Sequence, residues 1–535
     1  MSDNERGEGV GHPLYLGSLI LTDGGEKARG ARLSLESFMP SFAVSLIPGG
    51  RIQEKGERMV LPYSSYSYSS PRRAFYFQAK ASEPSKQQPT LENIGKEAKI
   101  QRMETVKIAL FGFGTIGTGV AKILLHHADR VSQALGKKIE LVRVCDRDLT
   151  TPRDVALPPD VLTADAEAIF ADPNISVGIE LIGGLEPART IVLRLLQSGK
   201  NVITANKALL AEHGAELFDV ARKCGRTIAF EAAVCGGIPI LNALSTALQA
   251  NTLHSINAIV NGTSNYILSQ MESGKVSYQE AVAQAQQLGY AEADPAMDVN
   301  GTDAVQKLTI LAQLGFGAVV DWKTVSRIGI ESVDAIDFRY AKELGYRIKL
   351  LAVAAQREEG LELHVSPTLV KVDNPLSRVR DAFNAVRIVG DSVGAVFFQG
   401  LGAGQLPTAS AVVGDLIDTV LGRTEITFHI LNLWGNSRSA IPIMSPQEFF
   451  GKSYLRLNVV DRPGVMHEIS GCLGQQDISI ASMIQHEPDQ KSNGEPVVLF
   501  LTTHESREGD LLQAIRKLEE SPVVLGNIVR MRVQS

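Results

Sequence analysis

Val106-Lys-Ile-Ala-Leu-Phe-Gly112-Phe113-Gly114-Thr115-Ile116-Gly117 is a short apolar strand that runs straight into G-x-G-x-x-G and then into an amphipathic helix. That order of strand, glycine loop and helix is the context a dinucleotide site requires. Gly112 permits the tight turn, Gly114 lets backbone approach a pyrophosphate, and Gly117 lets the helix lie close on the strand. Phe113, Thr115 and Ile116 complete the loop at the helix start, where N–H donors and a partial positive charge gather. Downstream, Ile116, Val120, Ile123, Leu124, Val131 and Leu135 recur near helical spacing, as for a helix lying on a sheet. A structural glycine turn is the alternative, and the flanking strand and helix weigh against it.

The chain has 535 residues, too many for one ordinary core, so two to four domains are expected. A formal net charge of −6, with no Lys/Arg-rich run, argues against nucleic acid as a partner. Charged or amide side chains interrupt every apolar stretch before about eighteen residues, so no membrane span is expected. Cys145, Cys224, Cys235 and Cys472 lack C-x-x-C spacing. They suit a reduced, cytoplasmic setting and propose neither a disulfide framework nor a zinc site. Residues 1–102, including Pro62-Tyr-Ser-Ser-Tyr-Ser-Tyr-Ser-Ser-Pro71, show no sustained periodicity and read as a disordered extension. Asp3, Glu5 and Glu8 precede the apolar patch Leu14 to Leu21, where an export signal would carry positive charge. Met103 stands directly before the first strand and reads as an alternative start.

Beyond the glycine loop, strands are expected at 139–146, 177–184, 201–206 and 227–232, separated by helices such as Ala208 to Cys224. This α/β alternation implies a parallel, doubly covered Rossmann sheet over about 103–236, with its ligand outside the carboxyl ends of the strands. Gly183, Gly184, Thr204, Ala205, Asn206 and Lys207 fall at those ends. Asp146 ends the second strand, where a carboxylate accepts from a ribose 2′-hydroxyl and favours NAD; Arg147 follows, where it would neutralise the 2′-phosphate of NADP. Both cofactors stay open. From Gly237 to about 435 the pattern changes to a helix at 239–248, strands at 255–260, 347–355, 362–370 and 395–399, and a capping box at Ser277-Tyr-Gln-Glu280. An α+β domain with an open mixed sheet is expected there, closing over the nicotinamide. Residues 436–451 read as a linker, and 452–535 as a ferredoxin-like βαββαβ unit.

The segment Gly289-Tyr-Ala-Glu292-Ala-Asp294-Pro-Ala-Met-Asp298-Val-Asn-Gly-Thr-Asp303-Ala-Val-Gln-Lys307 concentrates four carboxylates before one lysine. Asp303 and Lys307 are four apart and share a helix face, with Leu308, Ile310 and Leu311 as apolar neighbours. The bland reading is a surface ion pair worth about 0.3–0.5 kcal/mol. The surrounding motifs reverse the odds: GFGTIG, IELIGGLEPAR, TANKALLA, FEAAVCGGIPI, NGTSNYIL, GYAEADPAMDVNGTDAVQKLTILA and GAGQLPTASAVVGDLI. Over about residues 104–435 the chain resembles homoserine dehydrogenase, the NAD(P)-dependent enzyme interconverting L-homoserine and L-aspartate 4-semialdehyde in threonine, methionine and isoleucine biosynthesis.

The resemblance implies that Glu292 and Asp303 bind or orient homoserine, that Lys307 gives and takes the proton, and that Lys207 of TANK is the second lysine near nicotinamide and substrate. A base is needed there because the hydroxyl proton must leave oxygen as hydride leaves carbon. Burial and Lys207 would lower the Lys307 pKa, while a direct pair with Asp303 would raise it. The resemblance also implies a monovalent cation, usually sodium, on the Glu231 carboxylate and the carbonyls of Val234, Gly236 and Ile238; an ordinary interdomain turn is the alternative. It further implies that about 400–435 returns to the nucleotide domain, bringing Gly402 and Gly404 to the cofactor. Asp461-Arg-Pro-Gly-Val465 resembles the ligand loop of ACT regulatory domains, with Gly464 exposing N–H groups to an amino-acid carboxylate. Threonine is the effector implied by analogy, and a homodimer or homotetramer the expected assembly. Residues 1–102 are too short and irregular for an aspartokinase-like domain, so a monofunctional enzyme is expected, with a catalytically silent NAD(P)- and amino-acid-binding sensor as the competing class.

Overall fold

The structure, a computed structural model, describes residues 104–274, 276–435, 441–485 and 496–534. The expected disorder of 1–102, the start at Met103 and linker residues 436–440 lie outside that range. Strand β1 (Thr105–Phe111) buries Ile108, Ala109, Leu110 and Phe111 completely, as a central strand covered on both faces must. The other strands of its parallel sheet are β2 (Lys138–Cys145), β3 (Leu162–Thr163), β4 (Ile175–Glu180), β5 (Asn201–Thr204) and β6 (Ile228–Ala229). They run in the order β3-β2-β1-β4-β5-β6. The order reverses at β1, which opens a crevice beyond the carboxyl ends of β1 and β4. Helix α1 (Thr115–His126) covers this sheet with Val120, Ala121 and Leu124. Periodicity predicts one helix to Leu135, but the backbone leaves helical geometry at His127 and a second helix spans Ala128–Leu135. The strand expected at 227–232 stops at Ala229, because Glu231–Ala233 turns as a 3-10 helix.

The second sheet contains β7 (Leu253–Ile259), β9 (Tyr346–Gln356), β10 (Leu361–Lys371), β11 (Phe383–Gly390) and β12 (Gly394–Leu401), joined antiparallel in the order β12-β11-β7-β9-β10; the two-residue β8 (Ser326–Arg327) pairs beside β10. The helix expected at 239–248 is one α-turn, Ile240–Asn242, followed by a π-helical stretch over Ala243–Ala247. Helices α2 (Lys207–Lys223), α3 (Gly262–Glu272) and α4 (Thr302–Phe316) carry the chemistry described below. Helix α5 (Gln405–Val420) returns to the nucleotide domain: Ala409, Val412 and Leu416 join its core, and a Cβ on Gly119 of α1 would stand 2.7 Å from the Gln405 carbonyl.

The tail is β13 (Phe450–Val459), helix α6 (Val465–Gly474), β14 (Ile480–Gln485), β15 (Val497–Thr503), the two-residue β16 (Ser506–Arg507), helix α7 (Glu508–Glu519) and β17 (Val529–Gln534). Its order β17-β13-β15-β14 is that of a ferredoxin-like sheet. The tail does not stand apart. β17 pairs in parallel with β10, matching Thr368 with Arg532 and Val370 with Gln534, so the two sheets form one eleven-stranded sheet. That pairing covers an edge whose peptide groups would otherwise be open. Asp337, fully buried, accepts from the Tyr454 hydroxyl (2.7 Å) and Arg456 Nε (2.9 Å) across the same junction. The described part of the expected linker is held too: Leu361 N donates to Pro442 O (2.8 Å), Met444 N to Leu361 O (3.1 Å), and Phe449 is buried.

Candidate active site

Each glycine of the first loop meets a different constraint. Gly112 has φ +96°, and a Cβ there would stand 2.7 Å from the Leu181 carbonyl carbon. A Cβ on Gly117 would stand 2.0 Å from Gly112 O, whereas one on Gly114 would meet nothing within 4 Å. The chain is thus tight around the first and third glycines and open at the second, and no side chain caps the α1 N-terminus. An anionic pyrophosphate fits that open, donor-rich end. The Asp146 carboxylate accepts from Phe113 N (2.5 Å) and Asp148 N (2.9 Å), tying β2 to the loop. Arg147 beside it is exposed. Arg153, which no local motif marks, donates from Nε to Phe113 O (3.2 Å) and lays its guanidinium 5.4 Å from the Phe113 ring centre.

At the end of β4, the buried Glu180 carboxylate accepts from Ile182 N (2.8 Å), Gly183 N (3.1 Å) and the Thr204 hydroxyl (2.6 Å). Thr204 thereby ties two loops together and accepts in turn from Asn206 N (3.0 Å). Asn206 caps α2 through Leu209 N (3.1 Å) and holds Gly184 O (2.7 Å), which leaves Lys207 as the first residue of α2. Gly183 and Gly184 both have positive φ and open space where a side chain would be.

Across from this edge, Asp303 lies in the first turn of α4 and is 5% exposed. Its Oδ2 accepts from Lys307 Nζ (2.8 Å) and from Asn261 Nδ2 (2.8 Å), and its Oδ1 lies 3.0 Å from Lys207 Nζ. One carboxylate therefore joins a lysine of the nucleotide domain to a lysine of the second domain. Asn261 caps α3 through Ser264 N (2.7 Å) and also reaches Asp298 Oδ1 (2.7 Å). Lys307 Nζ donates to Val260 O as well (2.8 Å). Burial disfavours every charge here, but the two ammoniums outweigh it at Asp303 and hold its carboxyl far below the usual range. Burial likewise works against the Lys307 ammonium, and Asp303 outweighs it, so the Lys307 pKa rises. Of the two opposing effects legible beforehand, the ion pair wins. Burial and the nearby Asp303 raise the Asp298 carboxyl. Asn261 is the residue that sequence reasoning missed; it stands at the start of NGTSNYIL, an N-cap position whose second role needed the fold. Glu292 is exposed, and its carboxylate lies outside this hydrogen-bonded cluster.

The loop after β6 carries the predicted cation ligands. The Glu231 carboxylate accepts from Leu241 N (2.9 Å) and Asn242 N (2.6 Å), and Glu231 N donates to Asp415 Oδ2 (2.9 Å). Burial, helped by Asp418, pushes the Glu231 carboxyl up to about 7, and burial with Glu231 pushes Asp415 up as well. Ile238 O already accepts from Ile240 N (2.7 Å). A hard cation suits such an oxygen-rich, charge-short loop. Gly402 lies against Asn384, and Gly404, at φ +133°, precedes α5. Cavities of about 540 and 510 Å³ meet at Glu231, Asn242, Asp415 and Asp418.

Residues 112–231 match the family described as homoserine dehydrogenase, NAD binding domain; residues 239–417 match homoserine dehydrogenase and 453–520 match the ACT domain. A homoserine dehydrogenase of Pseudomonas aeruginosa is 40% identical over 435 residues, covering 81% of this chain and 99% of the relative. That of Synechocystis is 42% identical, covering 78% and 97%. The crystal structure of a homoserine dehydrogenase from Thiobacillus denitrificans is similar at a TM-score of 0.74 and 39% identity, covering 81% of this chain and 99% of the other. A hyperthermophilic archaeal homoserine dehydrogenase in complex with NADPH is similar at 0.50 and 27% identity, covering 59% and 98%.

Proposed function

This chain belongs to the homoserine dehydrogenase family, an NAD(P)-dependent oxidoreductase, and on that premise we propose how its residues share the work. The reading rests on one observation, the Lys207–Asp303–Lys307 bridge between the nucleotide-binding domain and α4. When bound, the nicotinamide cofactor supplies hydride to, or takes it from, the reacting carbon. In the reductive direction the Lys307 ammonium donates a proton to the aldehyde oxygen of aspartate 4-semialdehyde as negative charge develops there. In the oxidative direction neutral Lys307 accepts the homoserine hydroxyl proton. Its raised pKa means the resting enzyme is set for reduction and must lose a proton before oxidation. Lys207 and Asp303 orient the substrate, and Glu292, whose carboxylate faces solvent, receives its ammonium. The product homoserine would feed threonine, methionine and isoleucine biosynthesis.

Glu231 with the carbonyls of Val234, Gly236 and Ile238 would hold sodium, whose charge would offset the buried carboxylates. In the tail, Gly464 (φ +92°) opens α6 without a side-chain cap, and Arg462 pairs with Glu468 at 2.8 Å beside it. That loop supports an amino-acid effector, threonine, bound through its carboxylate. Strands β12 and β14 end the eleven-stranded sheet, and edges of this kind support a homodimer or homotetramer. Light scattering that returns a monomer at assay concentration would refute that assembly.

The decisive assay follows NAD(P)H absorbance with homoserine and each cofactor. Turnover that drops by roughly 10²–10⁴-fold in a folded Lys307→Ala variant is the expected result. Undiminished turnover in that variant removes Lys307 from the mechanism. No turnover in a folded wild-type protein that binds cofactor would leave the sensor reading.

A further inference from the structure

Asn384 is the second residue of β11, opposite Gly400 of β12, and is 1% exposed. Its Nδ2 donates to Val260 O at 2.9 Å, the same oxygen that accepts from Lys307 Nζ at 2.8 Å. Nδ2 also reaches Cys235 Sγ at 3.5 Å, on the loop after β6. The amide packs against Gly402, where a Cβ would stand 2.0 Å from Nδ2. Any side chain at position 402 would displace it. Its Oδ1 is buried and has no hydrogen-bond partner among the described residues. A residue placed there for packing alone would not bring an idle buried acceptor with it, so the contribution of this amide is its donors.

We infer that Asn384 is a positioning residue for the proton-transfer step, fixing the Val260 carbonyl that anchors Lys307 and tying it to the Cys235 and Gly402 loops. This rests on the assignment of Lys307 as the proton donor and acceptor. A carbonyl oxygen has two lone pairs, and here an amide and an ammonium share them. The Asn384 donor keeps the carbonyl from turning wholly toward the ammonium, and it sets where Lys307 Nζ sits relative to the reacting carbon. The other groups facing Lys307 are Asp303, Asp298 and the Cys235 thiol, with Lys207 across the Asp303 carboxylate. None of them contacts Val260 O by a hydrogen bond.

The test compares wild-type enzyme with Asn384→Ala in homoserine oxidation from pH 7 to 11, alongside NADPH binding by fluorescence. Loss of the competing donor should lower kcat by roughly tenfold or more, as expected when a reacting group is misplaced. It should also move the ascending limb of kcat, where Lys307 loses its proton, up by roughly half a pH unit, because Val260 O then serves the ammonium alone. NADPH affinity should stay within about twofold. If the alanine variant does not fold, Asn384→Leu keeps the approximate size, loses the donors without adding a charge and should shift the limb in the same direction. An Asn384 variant whose kcat and ascending limb match wild type, with only thermal stability reduced, overturns the inference. A wild-type enzyme that turns over while Lys307→Ala is unimpaired would instead overturn the underlying assignment of Lys307.

Discussion

Replacing Asp303 with asparagine keeps the shape of the side chain and removes the charge that Lys307, Lys207 and Asn261 share. Lys307 is left as an ammonium on a side chain only 12% exposed, and breaking a buried pair this way costs about 3–5 kcal/mol. Lys207, at 36% exposure, rehydrates and adds only about 0–1 kcal/mol. Asparagine still offers one acceptor, so the expected loss of stability lies near the lower end, about 3 kcal/mol. Part of the penalty is escaped by deprotonation. In the native site Asp303, helped by Cys235 and Asp298, outweighs burial and holds the Lys307 pKa up; without the Asp303 charge burial is opposed by Cys235 and Asp298 only, and the pKa falls from its raised value. The ascending limb of homoserine oxidation therefore moves to lower pH, opposite in sign to the shift expected for Asn384→Ala. At the same time kcat/KM drops by roughly 10²-fold, because substrate and lysine lose their common anchor. Initial rates across pH, with urea unfolding of the same preparations, measure both. A limb at or above the wild-type position, or stability within about 1 kcal/mol of wild type, refutes the electrostatic argument.

Gly114→Ala meets open space, so it should leave thermal stability unchanged while weakening NAD(P)H binding by roughly tenfold in fluorescence titration; Gly117→Ala, whose Cβ would press on Gly112 O, should damage both. Sodium should raise Tm more at pH 8 than at pH 5. The folded-state pKa of Glu231, about 7, lies above its ordinary value, so its ionisation destabilises the fold as pH rises through that window, and a bound cation offsets it. Equal gains at both pH values, against N-methylglucamine chloride as control, would discard the cation site at Glu231. Arg456→Met leaves buried Asp337 without its cation and should cost about 3–5 kcal/mol in urea unfolding, loosening the tail from the second domain. A loss below about 1 kcal/mol would mean that the junction is held by the β10–β17 pairing and the Tyr454 hydroxyl rather than by this ion pair.

The nucleotide-binding half was legible because its signal is local. A strand, a glycine loop and a helix are contiguous in sequence, and Gly117 answers to Gly112 within that loop. The four carboxylates ahead of Lys307 were legible for the same reason, since i to i+4 spacing puts Asp303 and Lys307 on one face of α4. The βαββαβ order of the tail was likewise readable from alternation.

What the chain order could not convey was contact between distant segments. Lys207 meets Asp303 across 96 positions only because the end of β5 and the start of α4 face each other, and that meeting helps hold the Asp303 carboxyl below its usual range. Asn261 reads as a helix cap, and its hold on Asp298 and Asp303 exists only in three dimensions. The union of β17 with β10 escaped the pattern because an edge strand looks the same whether its outer side faces water or another strand. Sequence by itself determined the elements and the residue types available for chemistry; the tertiary structure decided which charges are desolvated together, and in a buried site that governs which proton moves.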